Sequence, residues 1–314
     1  MTGSNHPQIR AADPAGIAQA AARLVAGEPV ALPTETVYGL AARADRAPAV
    51  AAIYRAKGRP DFNPLIVHVP GLEQAERLVR FDARARKLAR AFWPGPLTLV
   101  LPLRADAGIA PAVTAGLPTL ALRCPAHPVM RAVLEACGLP LAAPSANRSG
   151  AVSPTTAEHV ADSLGPAIGL VLDGGATPAG IESTIVALRE DGWSLLRPGP
   201  VTAEAIAALI GPPLAAPAGD RIEAPGQLAS HYAPGKPVRL EAEAAAPDEF
   251  LIGFGRVAGD VSLSPAGDLA EAAARLYQCL HEAAAAPHRL IAVAPVPDEG
   301  IGTAINDRLR RAAA

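Results

Sequence analysis

Aromatic side chains are scarce in these 314 residues: Phe, Tyr and Trp together make up 4%. A protein that reads single-stranded nucleic acid by base stacking needs more of them on one surface. Charge of one sign is lacking too, with 28 basic against 30 acidic residues and a formal net charge of −2. That balance argues against gripping nucleic acid by bulk electrostatics, which takes a basic excess or stripe. Lysine is rarer still, with only Lys57, Lys87 and Lys236 present. The bias follows a GC-rich coding sequence, but it makes a lysine at a suggestive place more noticeable.

Cysteine is limited to Cys124, Cys137 and Cys279, widely spaced and odd in number. Neither a disulfide framework nor a C-x-x-C metal pair is possible with that spacing, as expected in a reducing compartment. The histidines form no H-x-x-x-H pair and no His/Cys cluster, so no metal site is expected. No apolar run approaches the roughly 18 residues of a membrane span. The polar start, residues 1–13, lacks the apolar stretch of a signal peptide. A cytoplasmic enzyme is the expectation.

What the chain does have is apolar material, 50% of it, inflated by alanine. Its core must rest on Leu, Val and Ile, with Ala allowing close approach of elements. Its length suggests two domains. Asp13-Pro14 reads as an N-cap and first helical residue, with Ile17, Leu24 and Val25 on one face and Gly27 as the stop. A second helix is expected from Pro48 to Lys57-Gly58, and others near 72–79, 83–92, 128–136, 156–164 and 203–210. Strands are expected at 30–32, 65–69, 97–103, 119–123, 168–172, 183–188 and 194–196. Their irregular alternation predicts an α/β fold with a mixed, twisted open sheet, not a regular doubly wound one. Residues 211–237 are so rich in Pro and Gly that neither period survives, which reads as a linker. Beyond it, strands at 250–254 and 290–294 and helices at 269–286 and 303–312 make a small Rossmann-like α/β unit. The expected division is 1–210, linker 211–237 and 238–314.

Four polar, Gly/Pro-rich segments lie beside expected strands. Residues 33–40 carry two threonines and a carboxylate, either pocket-lining or a self-satisfied turn. Lys57-Gly58-Arg59 sets an ammonium and a guanidinium at a helix end, suited to phosphate or carboxylate oxygens or merely answering the helix dipole. Residues 144–150 place small hydroxyl and amide groups on a loop, fit to donate to a phosphate or ribose but common in turns. Residues 180–184 and 196–199 put further polar groups at strand ends. There is no P-loop, no strand–G-x-G-x-x-G–helix unit and no G-x-S-x-G elbow. Residue chemistry alone leads to a polar, cationic pocket and little further.

At these same segments the chain resembles the threonylcarbamoyl-AMP synthases in their long, two-domain form, built on a YrdC-like domain. The matching strings, in order, are PTETVYGLA (33–41), KGRP (57–60), NPLIVHV (63–69), FWPGPLTLVL (92–101), LALRCPAHP (120–128), APSANRSGAVSPT (143–155), GIESTIV (180–186) and LRPGPV (196–201). HYAP (231–234) and GIGTAINDRLRRAA (300–313) resemble the long form's linker and second domain. The resemblance implies a nucleotidyltransferase that joins L-threonine, bicarbonate or carbon dioxide, and ATP into threonylcarbamoyl-AMP and pyrophosphate. The adenylate is then handed to a complex that modifies tRNA beside the anticodon, without direct tRNA contact by this chain. It implies a catalytic group of Lys57, Arg59, Ser145 and Asn147. It implies ATP contacts at Arg59, Asn63, Thr119, Ser145, Ser153, Arg197 and Tyr232, and threonine contacts at Thr36, His68, Arg123, Ala143 and Ser183. Mg2+ is expected on the triphosphate, and the linker is expected to lie over the site. Ala224-Pro225-Gly226-Gln227 departs from the more usual Ser-Pro-Gly-Met of that linker. Two alternatives remain: an RNA-binding module of the same fold, and a carbamoyl-transferring maturation enzyme. The latter needs zinc-finger and acylphosphatase-like regions that the sequence does not show.

Overall fold

A computed structural model of the chain describes residues 6–214, 223–227 and 230–314. Among them ten strands join one sheet: β1 (Gln8–Ala11), β2 (Val30–Leu32), β3 (Gly39–Arg43), β4 (Ile66–His68), β5 (Leu97–Pro102), β6 (Thr119–Arg123), β7 (Leu141–Ala142), β8 (Leu170–Asp173), β9 (Thr184–Arg189) and β10 (Gly192–Arg197). Their order across the sheet is β1-β8-β2-β3-β7-β4-β6-β5-β9-β10. Parallel pairs such as β4 with β6 and β5 with β9 sit among antiparallel ones such as β2 with β3 and β5 with β6. The sheet is therefore mixed, as the irregular alternation of elements predicts.

Helices α1 (Pro14–Ala26), α2 (Ala47–Lys57), α3 (Leu72–Leu78), α4 (Ala83–Phe92), α5 (Pro111–Thr114), α6 (Pro128–Cys137), α7 (Ala157–Leu164) and α8 (Ala203–Ile210) accompany this sheet. Local chemistry fixes many of their ends. The Asp13 carboxylate accepts from the Gly16 amide at 2.7 Å, and Gly27 closes α1 in the left-handed region at φ 94°. Asp82, Thr156 and Thr202 cap α4, α7 and α8 in the same way. One expectation fails here: Leu24 is fully buried, but Val25 is 47% exposed. A step of one residue turns a helix by 100°, so Val25 leaves the face that meets the sheet.

The second sheet holds β11 (Val238–Arg239), β12 (Glu249–Gly253), β13 (Val261–Ser262) and β14 (Leu290–Val293), all parallel, in the order β11-β14-β12-β13. Helices α9 (Leu269–Ala285) and α10 (Gly302–Ala312) complete this unit. Its core does not stop at its own border. Val37, Val152 and Ile181 from the first unit join Tyr232, Ala273, Leu276 and Tyr277 in one buried cluster. At the seam a Cβ on Gly180 would stand 2.4 Å from backbone atoms of Ala273 and Ala274 in α9, so only glycine admits that approach.

Of the expected linker, residues 215–222 and 228–229 lie outside the described residues. The described part is tied down: the Leu214 amide donates to the Trp193 carbonyl at 2.8 Å, and Glu223 pairs with Arg189 at 2.9 Å. No described helix is long and apolar enough to cross a membrane.

Candidate active site

The middle of the large sheet brings several chain ends to one place. The turn before β3, the C-terminal ends of β4 and β6, the loop after β7, the residue before β9 and the end of β10 surround a single hollow. Thr36, Arg59, His68, Arg123, Ala143, Ser145, Ser183, Arg197 and Tyr232 all line it, as do Thr34, Glu182, Pro225, Gly226 and His231. Side chains between 36 and 197 thus converge, with linker residues as the cover. The enclosed space is about 50 Å³. That is room for a few waters, far short of a nucleoside triphosphate.

One side of the hollow is built from β6 and the turn before β3. Arg123, buried at the end of β6, donates from Nη1 to Thr36 Oγ1 at 2.8 Å and from Nε to the Gly95 carbonyl at 3.2 Å. Its Nη2 lies 2.6 Å from Glu35 Oε1. That pair is close in charge but poorly aligned as a hydrogen bond, and neither atom has a well-directed partner. Burial, the largest single influence, raises the Glu35 carboxyl, but the Arg123 charge and the hydrogen bonds to Arg123 and the backbone together hold the group below the usual value. Thr34 Oγ1 and Thr36 Oγ1 are 2.8 Å apart, and Thr34 donates to the Val37 carbonyl at 2.7 Å. His68 is buried, its Nδ1 unpartnered, and burial with the nearby Arg123 charge pushes it down to about 3. It is a neutral imidazole at any physiological pH, a polar wall group and not a cation.

The other side carries positive charge. Arg59 follows Gly58, whose left-handed φ of 60° ends α2 and turns the chain inward. Arg59 is held by the carbonyls of Asn63 at 3.3 Å and Pro64 at 2.9 Å, and desolvation lowers it to about 10, still charged near neutrality. Arg197 is buried at the end of β10 and grips the Ser183 carbonyl through Nη2 at 2.9 Å and Nε at 3.1 Å. It also reaches the linker, with Nη1 3.4 Å from the Pro225 carbonyl. Ser183 Oγ in turn shares a 2.8 Å contact with Thr98 Oγ1.

Five of the residues singled out from sequence do not line the hollow. Lys57 is buried, its ammonium donating to the backbone carbonyls of Ser145 and Asn147. It braces the loop after β7 from behind, and burial plus the Arg59 charge lower it well below an ordinary lysine. The picture of Lys57 and Arg59 side by side facing one ligand therefore does not match: only Arg59 faces the hollow. Asn147 folds its amide back onto the Arg148 and Ala151 carbonyls, both at 2.8 Å, stiffening the same loop. Ser153 donates to Glu182 Oε1 at 2.6 Å. Asn63 serves the hollow through its carbonyl, which holds Arg59. Thr119 is half-buried and begins β6, the far end from Arg123. Roughly 3.3 Å per strand residue separates those two ends by four steps.

Sequence reasoning assigned no role to Glu182, Tyr277 or Arg308. The Glu182 carboxylate is buried and bound by Ser153, by Tyr277 Oη at 2.8 Å and by Arg308 Nε at 3.1 Å. Nothing in residue spacing signals a contact across 126 positions.

Chemically, the site offers three guanidinium groups, short hydroxyls and a neutral imidazole around one hollow. Cys124, which follows Arg123 in the chain, donates to the Pro70 carbonyl and is raised by burial, so it is not poised as a thiolate. Such a site is suited to binding anions and orienting them.

Residues 22–199 match the Sua5_yciO_yrdC family, described as telomere recombination. Residues 201–314 match the threonylcarbamoyl-AMP synthase C-terminal domain. The threonylcarbamoyl-AMP synthase of Bacillus subtilis is 43% identical over 99% of this chain and 94% of its own. That of Pyrococcus abyssi is 39% identical over 91% of this chain and 90% of its own. The crystal structure of P. abyssi Sua5 complexed with L-threonine superposes with a TM-score of 0.87 at 38% identity, covering 95% of this chain and 94% of that one.

Proposed function

The chain belongs to the threonylcarbamoyl-AMP synthase family in its two-domain form, and from that premise we propose how its own residues carry the reaction. The L-threonine amine attacks bicarbonate with loss of water (or adds to carbon dioxide with loss of a proton) to form N-carboxythreonine. Its new carboxylate attacks the α-phosphorus of ATP, the bond to the β-phosphate bridging oxygen breaks, and pyrophosphate leaves. Two anionic partners must meet, so the barrier is charge repulsion and orientation, not the making of a protein nucleophile.

The observation that carries this reading is the cluster of Arg59, Arg123 and Arg197 around one hollow. Arg123, fixed by Thr36, Gly95 and Glu35, takes the threonine carboxylate by its fork. Thr36, His68, Ser183 and the Ala143 backbone shape the space for the side chain and amine. Arg59, Ser145 and Arg197 take the phosphate oxygens. Asn63, Thr119, Ser153 and Tyr232 complete the nucleotide's surroundings, the first by holding Arg59 and the last as a cover. Lys57 and Asn147 act by holding the Ser145 loop in shape.

Magnesium is assigned to the triphosphate and its waters. Glu182, which lines the hollow, and Glu35, which sits against Arg123, are engaged by Arg308 and Arg123 and do not offer themselves as ligands. When bound, the ion supplies further neutralisation of phosphate charge. The adenylate then passes to a transferase complex acting on tRNA. An RNA-binding role for this surface fits poorly, since Arg123 and Arg197 are 3% and 4% exposed, out of reach of a polyanion's backbone.

A pyrophosphate-release assay tests the reading. Release requires threonine, bicarbonate and ATP together, and Arg59→Ala lowers it by about 10²-fold, the scale of losing one charged donor at a transition state. Wild-type turnover in Arg59→Ala defeats the role given to that residue.

A further inference from the structure

We propose that Arg308 and Tyr277, both in the second domain, are positioning residues for the first domain's pocket and act through Glu182; the proposal rests on the synthase reading above. Arg308 is fully buried in α10. Its Nε binds the Glu182 carboxylate at 3.1 Å, its Nη2 approaches the Glu182 carbonyl at 3.4 Å, and its Nη1 donates to the Pro198 carbonyl at 2.7 Å. One guanidinium thus clamps two loops of the other domain, each at the residue adjoining a pocket group. Glu182 precedes Ser183, and Pro198 follows Arg197. Arg197 is itself bonded to Ser183, so the clamp holds a closed circuit whose inner members face the substrates.

Tyr277 in α9 adds a second hold, donating to Glu182 Oε2 at 2.8 Å. The arrangement also orients the cover: the Arg308 guanidinium carbon lies 5.6 Å from the centre of the Tyr232 ring, and the Tyr277 ring lies 5.5 Å from it. A buried carboxylate with two arginines and a phenol is costly unless all of them stay in place. The first domain alone leaves Glu182 with Ser153 and Arg197 only. The second domain therefore backs the pocket wall at Glu182 without lining the hollow itself.

The groups facing Glu182 are Arg308 from α10, Arg197 from β10, Tyr277 from α9 and Ser153, with His231 and Tyr232 of the linker nearby. Steady-state kinetics of the full chain against threonine and ATP, as a function of pH, test the proposal. In Arg308→Gln, kcat/KM falls at least about tenfold, chiefly through KM, because Ser183 and Arg197 lose their fixed spacing. The acid limb of its pH profile moves up by about one unit or more, because Glu182 has lost its nearest cation. Arg308→Lys restores the acid limb but not the full KM, since an ammonium neutralises without forking to both loops. Arg310→Gln, at an exposed site, serves as the control with wild-type kinetics. Wild-type KM and pH profile in Arg308→Gln overturn the inference. Inactivity of the wild-type chain itself overturns the synthase reading instead. Should Arg308→Gln fail to fold, Tyr277→Phe, with its melting point confirmed, decides by the same KM readout: a rise of about two- to fivefold or more, part of the worth of a hydrogen bond to a carboxylate felt at Ser183, supports the proposal and an unchanged value overturns it.

Discussion

His68 carries a consequence for stability as well as for binding. Its imidazole is pushed from an ordinary value near 6.5 to about 3, so between those limits the unfolded chain binds a proton that the native one refuses. Stability is complete above about pH 6.5 and is lost as the pH falls. Going from pH 7 to pH 5, this group alone costs about 2 kcal/mol. Urea unfolding at both pH values checks it: His68→Gln shrinks the difference between them by about that amount, and an unchanged difference contradicts the burial argument. His231 and His159, both lowered to about 4, keep the remaining slope in the same direction. At this scale the sequence is a partial guide. Arg123, Ser183 and Arg197 were legible because each sits in a recognisable string. The direction in which Lys57 points was not, because its ammonium answers two carbonyls 88 and 90 residues away.

At the scale of elements, local chemistry set what could be read. The ends of α1 follow from Asp13, Pro14 and Gly27, and those of α4 and α7 from their caps. Strand β1 was missed because its residues, Gln8–Ala11, are few, half of them polar, and mostly exposed. Only pairing with β8, far along the chain, makes it a strand. Strand β3, Gly39–Arg43, was missed for the opposite reason: it is almost wholly buried in the middle of the sheet and shows no alternation. The loop at 180–184 shows how tightly elements from the two domains meet. A methyl group at Gly180 has no space against the backbone of α9, and its φ of 68° disfavours any side chain. Gly180→Ala therefore costs about 1–3 kcal/mol from overpacking, and it loosens the contact that presents Glu182 to Arg308. Calorimetry together with threonine KM checks this: both melting point and affinity fall, and a loss of one without the other separates stability from positioning.

At the scale of the molecule, two sheets share one buried seam, and the pocket lies beside it. Val37 and Ile181 pack with α9 residues in a single core, while Pro225 and Tyr232 bring the linker onto the hollow. The space left beneath these residues is about 50 Å³. The linker's place over the site is what the family resemblance implies, whereas the buried bridge from Arg308 to Glu182 has no counterpart in the sequence reading, because it exists only once both domains are folded together. The proposed function reduces to one chemical event, the capture of an inorganic carbon on threonine and its transfer to AMP. The most direct measurement supplies radiolabelled bicarbonate with ATP and a panel of amino acids, and follows label into an AMP-linked product. Label enters that product with L-threonine, and Arg123→Ala lowers the yield by at least about tenfold. Label that never reaches an adenylate, or that enters equally well without an amino acid, contradicts the assignment.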